Sequence, residues 1–361
     1  MRLKSGLRVF WRGPGEAQVG FDPRLALVVE LSHPAEFEVL RMLESDQTPA
    51  GLRHTLEQAG APSERADQLI RALAEAGLLE SAPRSCSAEL RVRPELRDLL
   101  AAEADSRSLV EANGWQRLAR RQAQCVSVYG LGRTGALVAL GLANAGVGHL
   151  QLCDPKPVAP RDRGPVFGHR DVGLPRADAL APRLRELGCA TRVLGKWRRP
   201  HAAVLVDYEV ADPNRSAFMA RHGVPHLSVV VGELEIACGP WVGAGAGACL
   251  RCVRLWAAER DPAWPSLATQ RFSRSAVAGR GEDPCLASTA AGLAVGQVLQ
   301  GLAGDTPSTA GRAMTVALPA YSIGWSDVRP HPTCDHDVRG AQPRCGSTLP
   351  PPPLVQLPPA E

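Results

Sequence analysis

The residues best placed for chemistry begin with a glycine-rich turn. A short β-favouring run is followed at once by the sequence GLGRTG, which contains Gly130, Gly132 and Gly135. An apolar helical run and a second β-favouring run come next, and the second run ends at Asp154. Glycines in such a turn let backbone N–H groups approach a phosphate at the helix N-terminus, and an acid at this distance binds ribose hydroxyls. The pattern predicts a nucleotide-binding β-turn-α-β unit.

Two other interpretations of this unit stay open from the motif alone. The same spacing occurs in NAD-dependent dehydrogenases, and a strand–helix turn of this kind can also bind nothing. A dehydrogenase would explain neither the cysteine clusters of the chain nor a helix that opens with Arg176.

Cysteines supply a second candidate site. The chain has ten of them, and in a reducing compartment such a number favours metal ligands or reactive thiols over disulfides. Cys249 and Cys252 have the C-x-x-C spacing that lets two thiolates hold one tetrahedral zinc ion. Two thiols buried in an apolar loop are the alternative.

Further motifs follow in a fixed order along the chain. They are GVG at 146–148, Val158 after Asp154, DVG at 171–173 ahead of RADA at 176–179, GVPH at 223–226, CLRC at 249–252, and Cys285 before an apolar helix with Gln297. Together they resemble the ThiF/MoeB family, the superfamily of ubiquitin-activating enzymes, over residues 110–330. The resemblance implies an α/β fold with a Rossmann-like adenylyltransferase domain.

The resemblance also implies a reaction and its ligands. Members of this family bind ATP with Mg²⁺ and adenylate the C-terminal carboxylate of a small ubiquitin-like protein or a precursor peptide, usually as homodimers. Carried over, the three glycines form the phosphate turn and Asp154 binds the ribose. Arg176 stands where the family has a phosphate-binding lysine, and arginine can bind phosphate in bidentate fashion.

Three departures from the family pattern concern the charges around the nucleotide. Lys156 replaces a second acid, and the family's asparagine and arginine fall near Asp162 and Pro165, with Arg163 close but offset. Lys156 and Arg163 are the candidates to contact phosphate in place of that arginine. Its magnesium-binding aspartate falls at an apolar position that is flanked by Asp207 and Asp212, and these two acids are the candidates to replace it as magnesium ligands. Adenylation needs positive charge and magnesium at the triphosphate. The alternative is therefore a degenerate relative that binds a leader peptide for a partner enzyme.

Two further cysteine assignments follow from the resemblance. The family pairs its C-x-x-C with a downstream cysteine pair, so Cys334 and His336 are expected to complete a zinc site, with Cys345 as a substitute for the last ligand. In parts of the family a cysteine near Cys285 accepts the activated carboxylate as a thioester, and a helix N-terminus lowers the pKa of a thiol. A small buried residue at a helix start is the other interpretation of Cys285.

A small N-terminal module precedes these residues. A predicted hairpin at 7–21, helical patterns at 34–43 and 63–76, and a final extended run suggest a winged helix at 1–82, similar in pattern to PqqD-like peptide-binding elements. The module has nine basic and twelve acidic residues, a net charge of −3, which disfavours DNA binding. Strand addition by a peptide, or simple packing and dimerisation, fits better.

The remaining layout is a connector at 83–124, the nucleotide-binding domain at 125–339 and a proline-rich tail at 340–361 that we expect to be disordered. A net charge of +4 gives no reason to expect nucleic acid or a membrane as partner. The start of the chain lacks the apolar run of a signal peptide, so a cytoplasmic protein is expected. Three lysines among 41 basic residues are typical of a GC-rich, for example actinobacterial, genome.

Overall fold

The computed structural model divides into two compact units, residues 1–120 and 121–361. The residues it describes are 1–80, 87–111, 114–187, 189–243, 247–273 and 282–334. The predictions for His336, Cys345 and the tail at 340–361 lie outside the described residues.

The first unit is an antiparallel sheet with helices. Its strands pair in the order β1 (Val9–Gly13), β2 (Glu16–Val19) and β3 (Leu27–Glu30). The helices are α1 (Ala35–Met42), α2 (Pro49–Gln58), α3 (Glu64–Glu75), α4 (Ser87–Leu90) and α5 (Pro94–Val110), followed along the chain by α6 (Gly114–Arg121).

Local sequence explains most of this unit. The predicted hairpin corresponds to β1 and β2, and β2 alternates buried Ala17 and Val19 with more exposed residues. Helix α2 is not among the predicted helices, although Thr48 caps it by accepting the N–H of Gly51 and a proline opens its first turn. The final extended run forms an isolated bridge between Leu3 and Leu79. The winged helix stays a prediction.

The second unit is built on a mixed sheet. Its strands are β4 (Cys125–Tyr129), β5 (His149–Cys153), β6 (Arg192–Val193), β7 (Ala202–Tyr208), β8 (His226–Val231), β9 (Glu235–Val242), β10 (Arg312–Ala317) and β11 (Ser322–Asp327). Within the described residues they lie in the order β11-β10-β9-β8-β7-β4-β5-β6. The pairs from β6 to β8 are parallel and those from β8 to β11 antiparallel. This confirms the predicted Rossmann-like α/β fold.

The helices of this unit are α7 (Arg133–Asn144), α8 (Arg176–Glu186), α9 (Pro213–Arg221), α10 (Leu250–Arg260), α11 (Trp264–Ser273) and α12 (Pro284–Ala303). Strands β4, β7 and β8 are almost entirely buried and apolar, as expected of parallel strands covered on both faces. Helix α12 is the one described helix long and apolar enough to cross a membrane, but 56% of its apolar 18-residue stretch is buried inside the protein. Because it packs closely on α7, we interpret α12 as a core helix.

The strand order reverses next to β4, which lies between β5 and β7. Ligands of open α/β sheets bind outside the carboxyl ends of the strands at such a reversal. The carboxyl ends of these three strands carry Gly130, Asp154 and Asp207, so the fold brings together three residues that the sequence analysis selected.

Candidate functional site

The glycine-rich turn links β4 to α7 in a conformation that requires glycine. Gly130 has φ +80°, and a Cβ there would lie 2.2 Å from the carbonyl oxygen of Val206. A Cβ at Gly135 would lie 1.8 Å from the carbonyl oxygen of Gly130. The first turn of α7 therefore packs directly under the loop and places its N–H groups at the carboxyl edge of the sheet.

Asp154 fastens this turn to the end of β5. Its buried carboxylate accepts the N–H of Leu131 at 2.8 Å and the N–H of Lys156 at 3.0 Å. The side chain thus holds the loops that follow β4 and β5 in one arrangement. Its role as ribose ligand stays a prediction.

Arg176, the first residue of α8, lies in a buried ion-pair cluster. Its Nη1 is 3.0 Å from Asp154 Oδ2, and its Nη2 is 2.7 Å from Asp162 Oδ2. Burial alone would lower the pKa of Arg176, but the charges of Asp154 and Asp162 outweigh burial and raise it. The predicted phosphate cation is therefore a permanent charge bonded to the predicted ribose ligand.

The N-terminus of α7 is occupied by a side chain that the sequence analysis missed. Glu282 is buried, and its carboxylate accepts the N–H of Arg133 at 3.0 Å and the N–H of Thr134 at 2.7 Å. The hydroxyl groups of Thr134 and Tyr208 also donate to it. Burial and then the charge of Glu282 raise the pKa of Tyr208. No motif marks this acid, because it lies about 150 residues from the turn.

The two predicted magnesium ligands are engaged with the protein. Asp207 Oδ1 is 2.9 Å from Nη1 of Arg215, and Asp207 Oδ2 accepts the N–H of Asp212. Asp212 also caps α9 through the N–H of Asn214. Burial raises the pKa of Asp207 despite the opposing charge of Arg215. With both oxygens of Asp207 engaged, these acids do not fit a magnesium site as arranged.

Three cations, Arg133, Lys156 and Arg163, lie at the start of α7 and on the loop after β5, and one of them was not predicted. Arg163 is exposed and donates to the carbonyl of Pro160, while the charge of Lys156 opposes, without reversing, the rise that burial causes in the pKa of Asp207. Arg133, inside the glycine-rich motif, donates from Nη2 to the carbonyl of Arg161 at 2.8 Å. Its place inside the glycine-rich motif could have indicated this role. The guanidinium lies beside the segment in which the family has its arginine.

Three of the predicted metal ligands come together at a second place. The sulfurs of Cys249 and Cys252 are 3.9 Å apart, and those of Cys249 and Cys334 are 3.8 Å apart. Zinc–sulfur bonds of about 2.3 Å in a tetrahedron place sulfurs roughly 3.8 Å apart, so this donor set fits zinc. The N–H of His331 donates to Cys252 Sγ, and its side chain bonds Glu259 at 2.9 Å. His331 therefore orients the cluster without offering a ring nitrogen to it.

Cys285 is exposed in the first turn of α12. Its N–H donates to Asp283 Oδ1, which caps the helix, and the hydroxyl of Tyr321 is 3.5 Å from Asp283 Oδ2. The charge of Asp283 raises the pKa of Tyr321. The exposure fits a reactive thiol better than a packing residue, and the catalytic role stays a prediction.

Comparisons with known proteins agree with the resemblance. Residues 106–195 match the family model described as ThiF family. The fold is similar to that of E. coli MccB crystallised with MccA-N7isoASN, with a TM-score of 0.66 and 15% identity over 94% of this chain and 99% of that chain. It is also similar to PaaA, with a TM-score of 0.69 and 18% identity over 90% and 99%.

An E. coli MccB structure with ATP matches with a TM-score of 0.64 and 16% identity over 92% of this chain and 98% of that one. At these identities the likeness is one of fold. No curated protein matches the chain in sequence.

Proposed function

We propose that this chain, which carries a ThiF-family domain, uses ATP to adenylate the C-terminal carboxylate of a peptide or small protein. The observation that carries the proposal is the fold match over nearly the whole chain to MccB structures that hold ATP or MccA. The glycine-rich turn at the strand-order reversal, with Asp154 and several cations around it, supports the same assignment.

Adenylation requires positive charge at the triphosphate and no nucleophile from the protein. A carboxylate oxygen of the substrate attacks the α-phosphorus of ATP, the bond to the β-phosphate oxygen breaks, and pyrophosphate leaves with that electron pair. The product is an acyl-adenylate. In this proposal Arg133, Lys156 and Arg163 offset the charge that builds up on the leaving pyrophosphate. Asp154 binds the ribose, and its pairing with Arg176 fixes the sugar relative to the phosphates.

A precursor peptide is the partner we favour over a ubiquitin-like protein. In the first unit, β1 and β3 are the edges of the described sheet, and Phe10, Trp11 and Val28 expose apolar surface on them. An edge strand with exposed apolar side chains suits strand addition by a peptide. We further propose a cytoplasmic homodimer, as is usual in the family, that acts without nucleic acid or membrane.

Zinc at Cys249, Cys252 and Cys334 would be structural. The ion would supply the positive charge that holds three thiolates together, and so fix the segment after β11 to the start of α10. The fourth ligand would come from beyond Cys334, where His336 is the prediction.

A scaffold without catalysis is the second candidate. It is favoured by the internal partners of the predicted nucleotide groups, since Arg176, Asp207 and the N–H groups of α7 all bond to protein carboxylates or cations. Such a protein would hold a peptide for another enzyme and keep only the fold of its relatives.

ATP–pyrophosphate exchange with candidate precursor peptides separates the two. We expect exchange that Asp154→Ala lowers at least about a hundredfold. Asp178→Ala, an exposed acid on α8, should leave it unchanged. Peptide binding without exchange, equal in the chain and in Asp154→Ala, would establish the scaffold instead.

A further inference from the structure

The carboxylate of Glu282 lies where a nucleotide-binding turn of this kind receives phosphate. It accepts the backbone N–H groups of Arg133 and Thr134, the first two residues of α7, and the hydroxyl of Thr134. Free N–H groups at a helix N-terminus, aided by the helix dipole, are the groups that bind phosphate in such folds. A carboxylate there has the same charge sign and the same acceptor chemistry as a phosphate.

There is no room for both anions. Glu282 is 8% exposed, and a Cβ at Gly132 would lie 2.5 Å from Glu282 Oε1 and 2.0 Å from the hydroxyl oxygen of Tyr208. The space above the turn is therefore filled by these two side chains. A phosphate that reached the same N–H groups would contact the carboxylate at van der Waals distance and be repelled by it.

We propose that Glu282 is an internal anion that holds the phosphate position of the glycine-rich turn and leaves it when a polyphosphate ligand binds. The proposal rests on the proposed ATP binding and adds the residue that controls access to the turn. When Glu282 leaves, Thr134 and Arg133 exchange one anion for another, and the hydrogen-bond donors of the turn remain satisfied.

Arg133, whose backbone N–H Glu282 accepts, also has a side-chain donor without an acceptor in the described part of the chain. Its Nε is buried and has no hydrogen-bond partner among the residues that the structure describes. A buried guanidinium donor without an acceptor costs stability, and such groups in native structures call for a ligand or water that completes them. A polyphosphate that replaced Glu282 would bring several acceptor oxygens to the same turn.

Ligand binding by variants of Glu282 and of the neighbouring Asp283 tests the proposal. Calorimetric titration of the full chain with ATP and, separately, with inorganic pyrophosphate should show Glu282→Gln binding at least about tenfold more tightly than the unchanged chain. Glutamine keeps the size of the side chain and removes its charge. The matched control is Asp283→Asn, the neighbouring acid, whose carboxylate caps α12 rather than α7. It should bind both ligands as the unchanged chain does.

The two ligands separate this inference from the proposed function. Tighter pyrophosphate binding by Glu282→Gln without any ATP binding would support the internal anion and refute the ATP-dependent activity. ATP binding by the unchanged chain that Glu282→Gln leaves equal or weakens would overturn the internal anion and leave the activity standing. An absence of binding by either form to either ligand would overturn both.

Hydrogen exchange on the unchanged chain covers the case in which the variant does not fold. With saturating pyrophosphate, amide exchange should rise at Glu282 and in the first turn of α12, because that segment has lost its anchor. The amides of Arg133 and Thr134 should stay protected. Exchange in the first turn of α12 that stays equal or slows under saturating ligand would overturn the proposal.

Discussion

Two regions of the second unit gather polar side chains, and they balance charge in different ways. Around the glycine-rich turn each carboxylate faces a donor or cation from the chain itself, as Arg176 shows between Asp154 and Asp162. In the cysteine cluster three side chains of one kind approach one another, and burial raises the pKa of the Cys249 thiol.

This difference indicates how a bound ion or ligand affects each region. The turn is satisfied by internal partners, so a ligand gains affinity there only by displacing them. The cysteines become good ligands as thiolates, and thiolates so close repel one another unless a cation lies between them. We therefore expect the cluster to depend on a bound ion for stability and the turn to depend on its ion pairs.

Loss of one cysteine should have the largest effect. Cys252→Ser should reduce zinc from about one ion per chain to none, and lower the free energy of unfolding by about 4 kcal/mol or more. Metal analysis and urea unfolding measure both quantities. Cys285→Ser, at an exposed thiol outside the cluster, should change neither. A Cys252→Ser chain that lacks zinc but is as stable as the unchanged chain would show that the cluster does not depend on a bound ion for stability.

Removal of the central cation at the turn should come next. Arg176→Ala leaves two buried carboxylates without their partner, which typically costs about 3–5 kcal/mol. Urea unfolding at neutral pH measures the loss. Arg185→Ala on the exposed side of the same helix is the control and should change stability by less than about 0.5 kcal/mol. Equal losses for the two variants would show that the cluster does not carry stability.

Acid should destabilise the buried pair of His226 and Ser216, in which neither side chain is charged at neutral pH. His226 is buried on β8 beside Ser216, and burial lowers its pKa to about 4. The unfolded chain takes up the proton near pH 6.5, so stability is full above that value and falls as the pH drops toward 4. The loss approaches about 3 kcal/mol.

Urea unfolding of the chain and of His226→Gln between pH 7.5 and 4.5 tests this. Because any zinc is also released in acid, the difference between the two curves, rather than either curve, reports His226. A constant difference across this range would show that folding does not lower the pKa of His226.

The smallest effect should follow loss of the half-exposed pair at the end of β7. Arg215→Ala removes the partner of Asp207, but the arginine side chain is 38% exposed and solvent screens the pair. A loss of about 1 kcal/mol is expected in urea unfolding. Arg221→Ala, exposed at the end of α9, is the control. A loss as large as that of Arg176→Ala would place Asp207 in the same class as the buried cluster.

Glu282 and Asp283 are neighbours in the sequence, but only the role of Asp283 could be predicted from it. Asp283 precedes a proline and an apolar helical run, and it caps α12 through the N–H groups of Cys285 and Leu286, which is a local pattern. Glu282 caps α7, at a great distance along the chain. Only the packing of α12 against α7 brings the two together, and no spacing rule records that contact.

The same distinction holds elsewhere in the second unit. The turn, its strands and Asp154 were predictable because glycine conformation and strand periodicity are local properties. Arg176 and Asp207 were also selected from the sequence, but their ion pairs with Asp162 and Arg215 were not, since the partner of a charged residue is decided by the three-dimensional packing. The cysteine cluster was found because metal ligands keep characteristic spacings and the family resemblance supplied the distant member, Cys334.

The position of Glu282 also has a consequence for the speed of ligand capture. If the carboxylate must leave before a phosphate can enter, the observed association rate should rise with ligand concentration and then level off at the rate at which the carboxylate departs. The plateau would report a property of the protein alone and be the same for ATP and pyrophosphate. The initial slope, in contrast, would depend on the charge of the ligand and on salt, because diffusion past Arg133 and its neighbours is steered electrostatically.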